Sequence, residues 1–264
     1  MRLVKSVLER SVEMMQTLSA APAGVSQLSA TLDLPKSATH RLLQELLRLG
    51  WVEQDDDRCY RASLRFGLLG GRVLRRAGLP ELAQPVLDRA ARQTRELVRL
   101  TLTADRGLAW IGFAQGAPPG LMYAPEMTGP VVLHATANGK AYLATLTDAA
   151  ALRLVAADLG RIRPTPHTLT TRTAFLAQLA AVRARGHALA DEEAEPGVVA
   201  LAIAIRPDSG PATGTVSVAG PKIRMSPARR PEFLAALVEA AHTLAALPPF
   251  RSNNEETGKA NHAR

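Results

Sequence analysis

Residues 34–54 read LPKSATHRLLQELLRLGWVEQ, and the reading of that stretch decides the fold of the N-terminal part of the chain. Pro35 suits the entrance of a helix, where its missing N–H costs nothing, and Gly50 suits the stop. Turning at about 100° per residue, Ala38, Thr39, Leu42, Leu43, Leu46 and Leu49 fall on one side of that helix. Lys36, Ser37, His40, Arg41, Gln44, Glu45 and Arg48 fall on the other. The first side is expected to be core. The second opens on Lys36, Ser37, His40 and Arg41, hydrogen-bond donors able to reach phosphates or base edges.

The flanking sequence extends the pattern. From Val4 to Leu18, the residues Val7, Leu8, Val12, Met14, Met15 and Leu18 recur at helical spacing until the break at Ala21 to Gly24. Ser26 then opens a short second helix, with Val25, Leu28 and Leu32 on one side, which Asp33-Leu34-Pro35 ends. After Gly50, Trp51-Val52-Glu53 and Cys59-Tyr60-Arg61 read as two short strands around an acidic turn. Three helices and a two-stranded ribbon make a winged helix-turn-helix, whose second motif helix enters the major groove. The same pattern also suits an ordinary three-helix subdomain with a solvated polar face.

The whole-chain numbers leave room for this. At 264 residues, with 47% hydrophobic and 21% charged residues, the chain is long enough for two modest globular domains. No stretch is apolar for the length of a bilayer span, and the N-terminus lacks a signal-peptide core, so a cytoplasmic protein without a membrane partner is expected. The single cysteine, Cys59, has no cysteine partner and reads as a small half-buried strand residue. The formal charge is +8, yet residues 1–66 carry nine Lys+Arg against eight Asp+Glu, while residues 67–100 carry seven against three. The basic excess therefore lies outside the head that would read DNA. The segment from Arg72 to Arg99 reads either as a solvated helical connector or as a patch whose Arg72, Arg75 and Arg76 attract the duplex without reading sequence. Pro80 and Pro85 interrupt it, which puts the linker at 64–79.

Further on, Val98–Thr103, Leu108–Phe113, Val198–Ile205 and Thr213–Ala219 have strand composition, and Asp148–Asp158, Thr173–Arg185 and Pro227–Leu247 are helical by spacing and alanine content. Strands and helices interleave without a strict βαβ rhythm, so an α+β layer is favoured over a doubly wound sheet.

SVLERSVEMMQTL, LPKSATHRLLQELLRLGWVEQ and the wing resemble the DNA-binding head of the IclR family of bacterial transcription regulators. LHATANGKAYLATL, TPHTLTTRTAFLAQLAAVRARGHALADEEAEPGVVALAIAI and GTVSVAGPKIRMS resemble that family's effector-binding domain. The resemblance covers roughly residues 4–247, and several ordered blocks are more specific than one helix-turn-helix. It implies an α+β protein of two domains: a winged head at 1–63, a linker helix at 64–79, and a GAF-like effector-binding domain at 80–250 with an antiparallel sheet flanked by helices. A polar tail at 251–264 is expected to lack order. It also implies double-stranded DNA with a palindromic operator as partner, a small-molecule effector such as an organic acid, a homodimer or pair of dimers (homotetramer), no cofactor, no metal and no catalysis.

The implied DNA contacts are Ser26, Lys36, Ser37, Thr39, His40, Arg41 and Gln44, with Arg58 and Arg61 of the wing. The wing departs from the family, which usually places Gly near its tip. Here Asp55-Asp56-Asp57-Arg58 sets three carboxylates where phosphates would be repelled, so the tip itself is not expected to grip the backbone. For the effector, the resemblance implies a wall at Thr136, Ala137, Asn138 and Gly139, where N–H groups of a helix start suit a carboxylate. It places further wall positions at Ala190, Ala200, Ser217 and Ala219. A member binding small oxo-acids is polar at those four places, whereas only Ser217 is polar here. A larger carboxylate with an apolar or aromatic body is therefore expected, with Trp110, Phe113 and Met122 as additional wall residues or as plain core.

Enzymatic readings find less support. ANGKA lacks the leading Gly of a phosphate-cradling loop, since position 134 is His. Asp191 to Glu195 could pair carboxylates, and His167 or His187 could act as a base, but no nucleophile motif, metal-ligand spacing or dinucleotide glycine pattern accompanies them. The sense of regulation leans to repression, the commoner role in the family. An activator of the same architecture is the alternative, and a sensor that does not bind DNA is the more distant one.

Overall fold

The computed structural model describes residues 5–76, 78–104, 107–125, 129–207 and 211–250. The described residues form two compact units, one ending at Arg76 and the other following it.

The first unit is three helices and a ribbon. Helix α1 spans Val7–Ala20 and starts where a capping box fixes it: Ser6 Oγ accepts from the Glu9 N–H, and the Glu9 carboxylate accepts from the Ser6 N–H. The expected start at Val4 lies outside the described residues. Helices α2 (Val25–Thr31) and α3 (Lys36–Arg48) follow, and strands β1 (Val52–Gln54) and β2 (Tyr60–Ala62) pair antiparallel, with Ala23 bridging Tyr60 on the far side. Met14, Leu18, Leu28, Leu43, Val52 and Tyr60 make the core. Gly50 holds a φ of 73°, a left-handed turn that releases the chain from α3 into β1 at little cost only for glycine.

Several apolar residues of this unit stay outside its core, Leu49 against expectation. Val7, Leu8 and Val12 do not join the core but are exposed, Leu8 to 74%. Leu49, at the end of α3, is also exposed. Helix α4 (Leu64–Arg76) buries no residue, although Leu64, Leu68, Leu69 and Val73 are apolar.

The second unit opens on helix α5 (Leu79–Thr94). Pro80 sits at its entrance, but Pro85 lies inside it and does not interrupt it, correcting the expected break. Strands β3 (Leu97–Ala104), β4 (Gly107–Gln115), β5 (Ala188–Asp191), β6 (Val198–Ile205) and β7 (Gly214–Pro221) form one antiparallel sheet in the order β4-β3-β7-β6-β5. β5 went unread because ALAD is short and carries no β-branched residue. Helices α6 (Ala137–Leu143), α7 (Asp148–Val155), α8 (Arg172–Arg185) and α9 (Arg230–Ala245) complete it, with a 3-10 turn at Pro227–Arg229 taking the start expected for α9. The segment expected to be helical to Asp158 stops at Val155. The tail from 251 lies outside the described residues.

The alternation of strand residues separates two layers. Val98, Leu100, Val199, Leu201, Val216 and Val218 face α5 and α9 in an aliphatic core. The opposite face carries Ala190, Ala200, Ala202 and Ala219 against α6 and α8. On that second face Arg99, Thr101, Thr215 and Ser217 stand together in the middle of the sheet.

Candidate DNA-reading helix and effector face

The first candidate surface is α3. Lys36, Ser37, His40, Arg41 and Gln44 are all exposed, as the helical wheel requires. Pro35 offers no side-chain cap, so the first N–H groups of α3 stay available to an anion, and the helix dipole favours one there. Among the described residues, Lys36 and Arg41 have no ion-pair partner, whereas Arg48 is held by Glu45 at 2.5 Å. Gln44 Nε2 donates to the Tyr60 hydroxyl at 3.3 Å, which ties the middle of α3 to the wing. Ser26 is exposed in the first turn of α2. Thr39 is a correction: it is 0% exposed and its hydroxyl donates to the Pro35 carbonyl, so it belongs to the core and cannot reach a duplex.

The wing solves its missing glycine locally. Arg58 takes the left-handed position itself, with a φ of 59°, and its N–H donates to the Asp55 carbonyl. The Asp55 carboxylate accepts from the Cys59 N–H at 2.8 Å, so one of the three acids is part of the turn, while Asp56 and Asp57 stay exposed. Arg61 stands opposite Glu53 and pairs with it at 3.2 Å, which leaves its charge partly spent. Arg72, Arg75 and Arg76 are exposed on α4.

The second candidate surface is the polar patch on the sheet. Arg99 was grouped with the solvated basic segment, and the structure overturns that: it is a β3 residue, only 7% exposed. Its guanidinium carbon lies 4.4 Å from the centre of the Trp110 ring and 5.6 Å from that of Tyr123. Its Nε has no hydrogen-bond partner. Burial pulls the Arg99 pKa below its ordinary range, opposed by Tyr123 and Glu195, while burial pushes the Tyr123 phenol well above its own. Tyr123 donates its hydroxyl to Glu195 at 2.7 Å, and the Tyr123 and Leu121 carbonyls accept from Gln115 and Arg224, which seats this loop. A buried cation without a direct ion pair carries a desolvation cost, which Tyr123, Glu195 and the two rings offset only in part, since burial remains the largest influence on Arg99.

Ser217 is the register partner of Arg99 on β7, fully buried, and its Oγ is also without a partner. One rung along, Thr101 and Thr215 share a 2.6 Å hydroxyl contact, and Asn138 Nδ2 donates to Thr215 Oγ1 at 2.8 Å, leaving Asn138 Oδ1 unpaired. The start of α6 is less open than expected. Thr136 Oγ1 caps it by accepting from the Gly139 N–H at 3.1 Å, so that N–H is not free for a carboxylate. A Cβ on Gly139 would meet the Leu133 carbonyl oxygen at 2.1 Å, and close packing explains this glycine. Ala137 is buried beside it.

Ala190, Ala200 and Ala219 do fall on this face, on three neighbouring strands. Phe113 is the register partner of Arg99 on β4 and is 50% exposed; Trp110 is half-buried, and Met122 is exposed on the loop beside Tyr123. A cavity of about 220 Å³ opens elsewhere, between α6, α8 and β6, and none of the expected effector residues lines it.

Beside the patch, Lys140 and Glu193 form a fully enclosed ion pair at 2.5 Å. Burial pulls the lysine down and pushes the glutamate up, and each opposes the shift in the other. Neither residue was singled out as a pair from sequence, because 53 positions separate them. His134 is buried with Nε2 donating to the Ile162 carbonyl. Among the described residues no cluster of His, Cys, Asp and Glu could hold a metal, and no helix is long and apolar enough to cross a membrane.

Comparison with known proteins matches both units of the chain. The family description "Bacterial transcriptional regulator IclR C-terminal" matches residues 71–246, and the "IclR helix-turn-helix domain" matches residues 7–56. The HTH-type transcriptional regulator BhcR of Paracoccus denitrificans is 30% identical over 239 residues, covering 90% of this chain and 85% of that protein. A crystal structure described as an IclR transcriptional regulator from Silicibacter sp. TM1040 superimposes with a TM-score of 0.84 at 25% identity, covering 93% of this chain and 97% of that one. An IclR homologue of Microbacterium hydrocarbonoxydans, solved in complex with 4-hydroxybenzoate, shares the fold at 23% identity and a TM-score of 0.69, covering 90% and 97%. These relatives are regulators and not enzymes.

Proposed function

Because the chain belongs to the IclR family of bacterial transcriptional regulators, we propose that it is a repressor whose grip on a palindromic operator is set by a small carboxylate with an apolar or aromatic body. Relatives of the chain include named repressors, and a neighbour of the same fold holds 4-hydroxybenzoate. The observation that carries the reading is the pairing of two surfaces in one chain. One is a winged head whose α3 presents unpaired Lys36 and Arg41 with Ser37 and His40. The other is a buried sheet face on which Arg99 Nε, Ser217 Oγ and Asn138 Oδ1 lack partners.

Lys36, Ser37, His40, Arg41 and Gln44 contact the duplex, Arg41 reading a base and Lys36 a phosphate, with Ser26 and Arg58 at the edges. The protein acts in the cytoplasm as a homodimer, in which the exposed apolar residues Val7, Leu8 and Val12 of α1 and those of α4 are covered by a second copy. Two heads on one face of the duplex call for half-sites about one helical turn, or a multiple of it, apart.

The test is fluorescence anisotropy of fragments from the promoters flanking the gene, at several salt concentrations, with and without a library of metabolites. Expected are salt-dependent specific binding to a palindrome and its relief by one carboxylate. Failure of every fragment to bind above non-specific DNA would overturn the reading. Strengthened binding, with higher transcription from a reporter, would make the protein an activator.

A further inference from the structure

We propose that Arg99 is the anion anchor of the effector site, taking a monocarboxylate between its guanidinium, Ser217 and Asn138, with the ligand's planar or apolar body running past Trp110 towards Phe113. This rests on reading the C-terminal unit as an effector-binding domain.

Three polar atoms on one face of the sheet are buried without a hydrogen-bond partner. Arg99 and Ser217 are partners across the same rung of the β3–β7 ladder, and Asn138, whose Nδ2 donates to Thr215 two residues along β7, leaves its Oδ1 without a partner. Two donors and an amide that can turn, on neighbouring positions of one sheet face, suit the two oxygens of a carboxylate, and a planar guanidinium fork matches them in shape. Glu195 stabilises this cation at a distance and through the Tyr123 hydroxyl, but among the described residues no carboxylate makes a direct ion pair with it.

The number of charges follows from the neighbours. Lys140, the other cation enclosed on this side of the sheet, is committed to Glu193 at 2.5 Å. Arg99, which among the described residues makes no direct ion pair, matches one carboxylate, and a second would be buried unpaired. The body of the ligand is fixed by what surrounds Arg99. Trp110 and Tyr123 flank the guanidinium with aromatic rings, and the neighbouring strands offer Ala200 and Ala219 where polar contacts could have stood. The way out is towards edge strand β4, where Phe113 is half-exposed on the same face.

The full-length protein is titrated calorimetrically with benzoate, phenylacetate and hexanoate, with benzamide, phenylacetamide and hexanamide, and with the diacid phthalate. The same titrations are run on Arg99→Met, Arg99→Lys and, as a surface control, Arg75→Met. Melting of each ligand-free variant is recorded. At least one monocarboxylate is expected to bind, with its amide and phthalate at least about tenfold weaker. Arg99→Met is expected to lose the acid by a similar factor, Arg99→Lys to keep part of the binding, and Arg75→Met to match the parent. Ligand-free Arg99→Met is expected to melt no lower than the parent, since burial outweighs what Tyr123 and Glu195 return to the charge.

Equal binding of acid and amide, undiminished binding to Arg99→Met, no binding of any monocarboxylate, or a clearly lower melting point of ligand-free Arg99→Met would overturn the assignment. The last would make Arg99 a structural residue. If operator binding still answers to some other metabolite, and Arg99→Met answers equally, the anchor falls while the effector-domain reading stands. If the parent's operator binding answers to no metabolite at all, the effector-domain reading falls first.

Discussion

The polar edge of α3 and the polar patch on the sheet hold similar chemistry under opposite conditions. Lys36, His40 and Arg41 stand in water, where an unpaired cation costs almost nothing. Arg99 Nε, Ser217 Oγ and Asn138 Oδ1 lack partners inside the protein, where each missing hydrogen bond is costly. An exposed donor therefore says little by itself, and the α3 edge gains meaning from its place in a winged head. A buried orphan is informative alone, because folding would discard it unless something else were gained.

The same contrast ranks the ways to break the molecule. Lys140→Ala leaves Glu193 as an uncompensated buried charge and is expected to destabilise the second unit by about 3–5 kcal/mol, whereas the Lys140→Met/Glu193→Gln double variant recovers much of it. Denaturant unfolding checks both, and an unaffected single variant would mean that the pair is not enclosed. Leu43→Ala, in the core of the head, is expected to cost about 2–5 kcal/mol and to abolish operator binding by melting the head. A second calorimetric transition, unmoved, would report the other unit.

On the exposed side, effects act on binding and not on stability. Arg41→Ala is expected to weaken operator binding by about 1–3 kcal/mol if it reads a base, at unchanged melting temperature, with sequence preference relaxed. Lys36→Ala should weaken all sequences alike and lower the salt slope by about one phosphate. Arg58→Gly is the mildest and the sharpest of these. Relief of a left-handed φ should stabilise the wing by up to about 1 kcal/mol, set against the entropy glycine loses on folding. If Arg58 touches phosphate, operator affinity falls as stability rises, and parallel movement of the two would remove it from the interface.

Legibility followed the range of the interactions. The span of α3, its polar edge, the short ribbon and four of the five sheet strands were readable, since each depends on periodicity within about ten residues. Val7, Leu8 and Val12 had the right spacing for a core that the single chain does not provide. Thr39 had the composition of a contact residue and the position of a core one, and the position decided. Pro85 looked like a break, but α5 carries it. Arg99 was misread because it ends a run rich in arginine, although VRLTLT around it is strand-like; an arginine inside a strand between apolar neighbours was the available signal.

By itself the sequence determined the two-part plan and the amphipathic α3, because helical period and strand alternation are written locally, while the alanines at 190, 200 and 219 were placed by resemblance to the family. Only the tertiary structure decided that Gly139's N–H is committed to Thr136, that Lys140 meets Glu193, and that Arg99 faces Ser217 with its Nε lacking a partner. Those facts depend on which strands become neighbours and on how much water is excluded between them. Neither is fixed until segments far apart in the chain have packed.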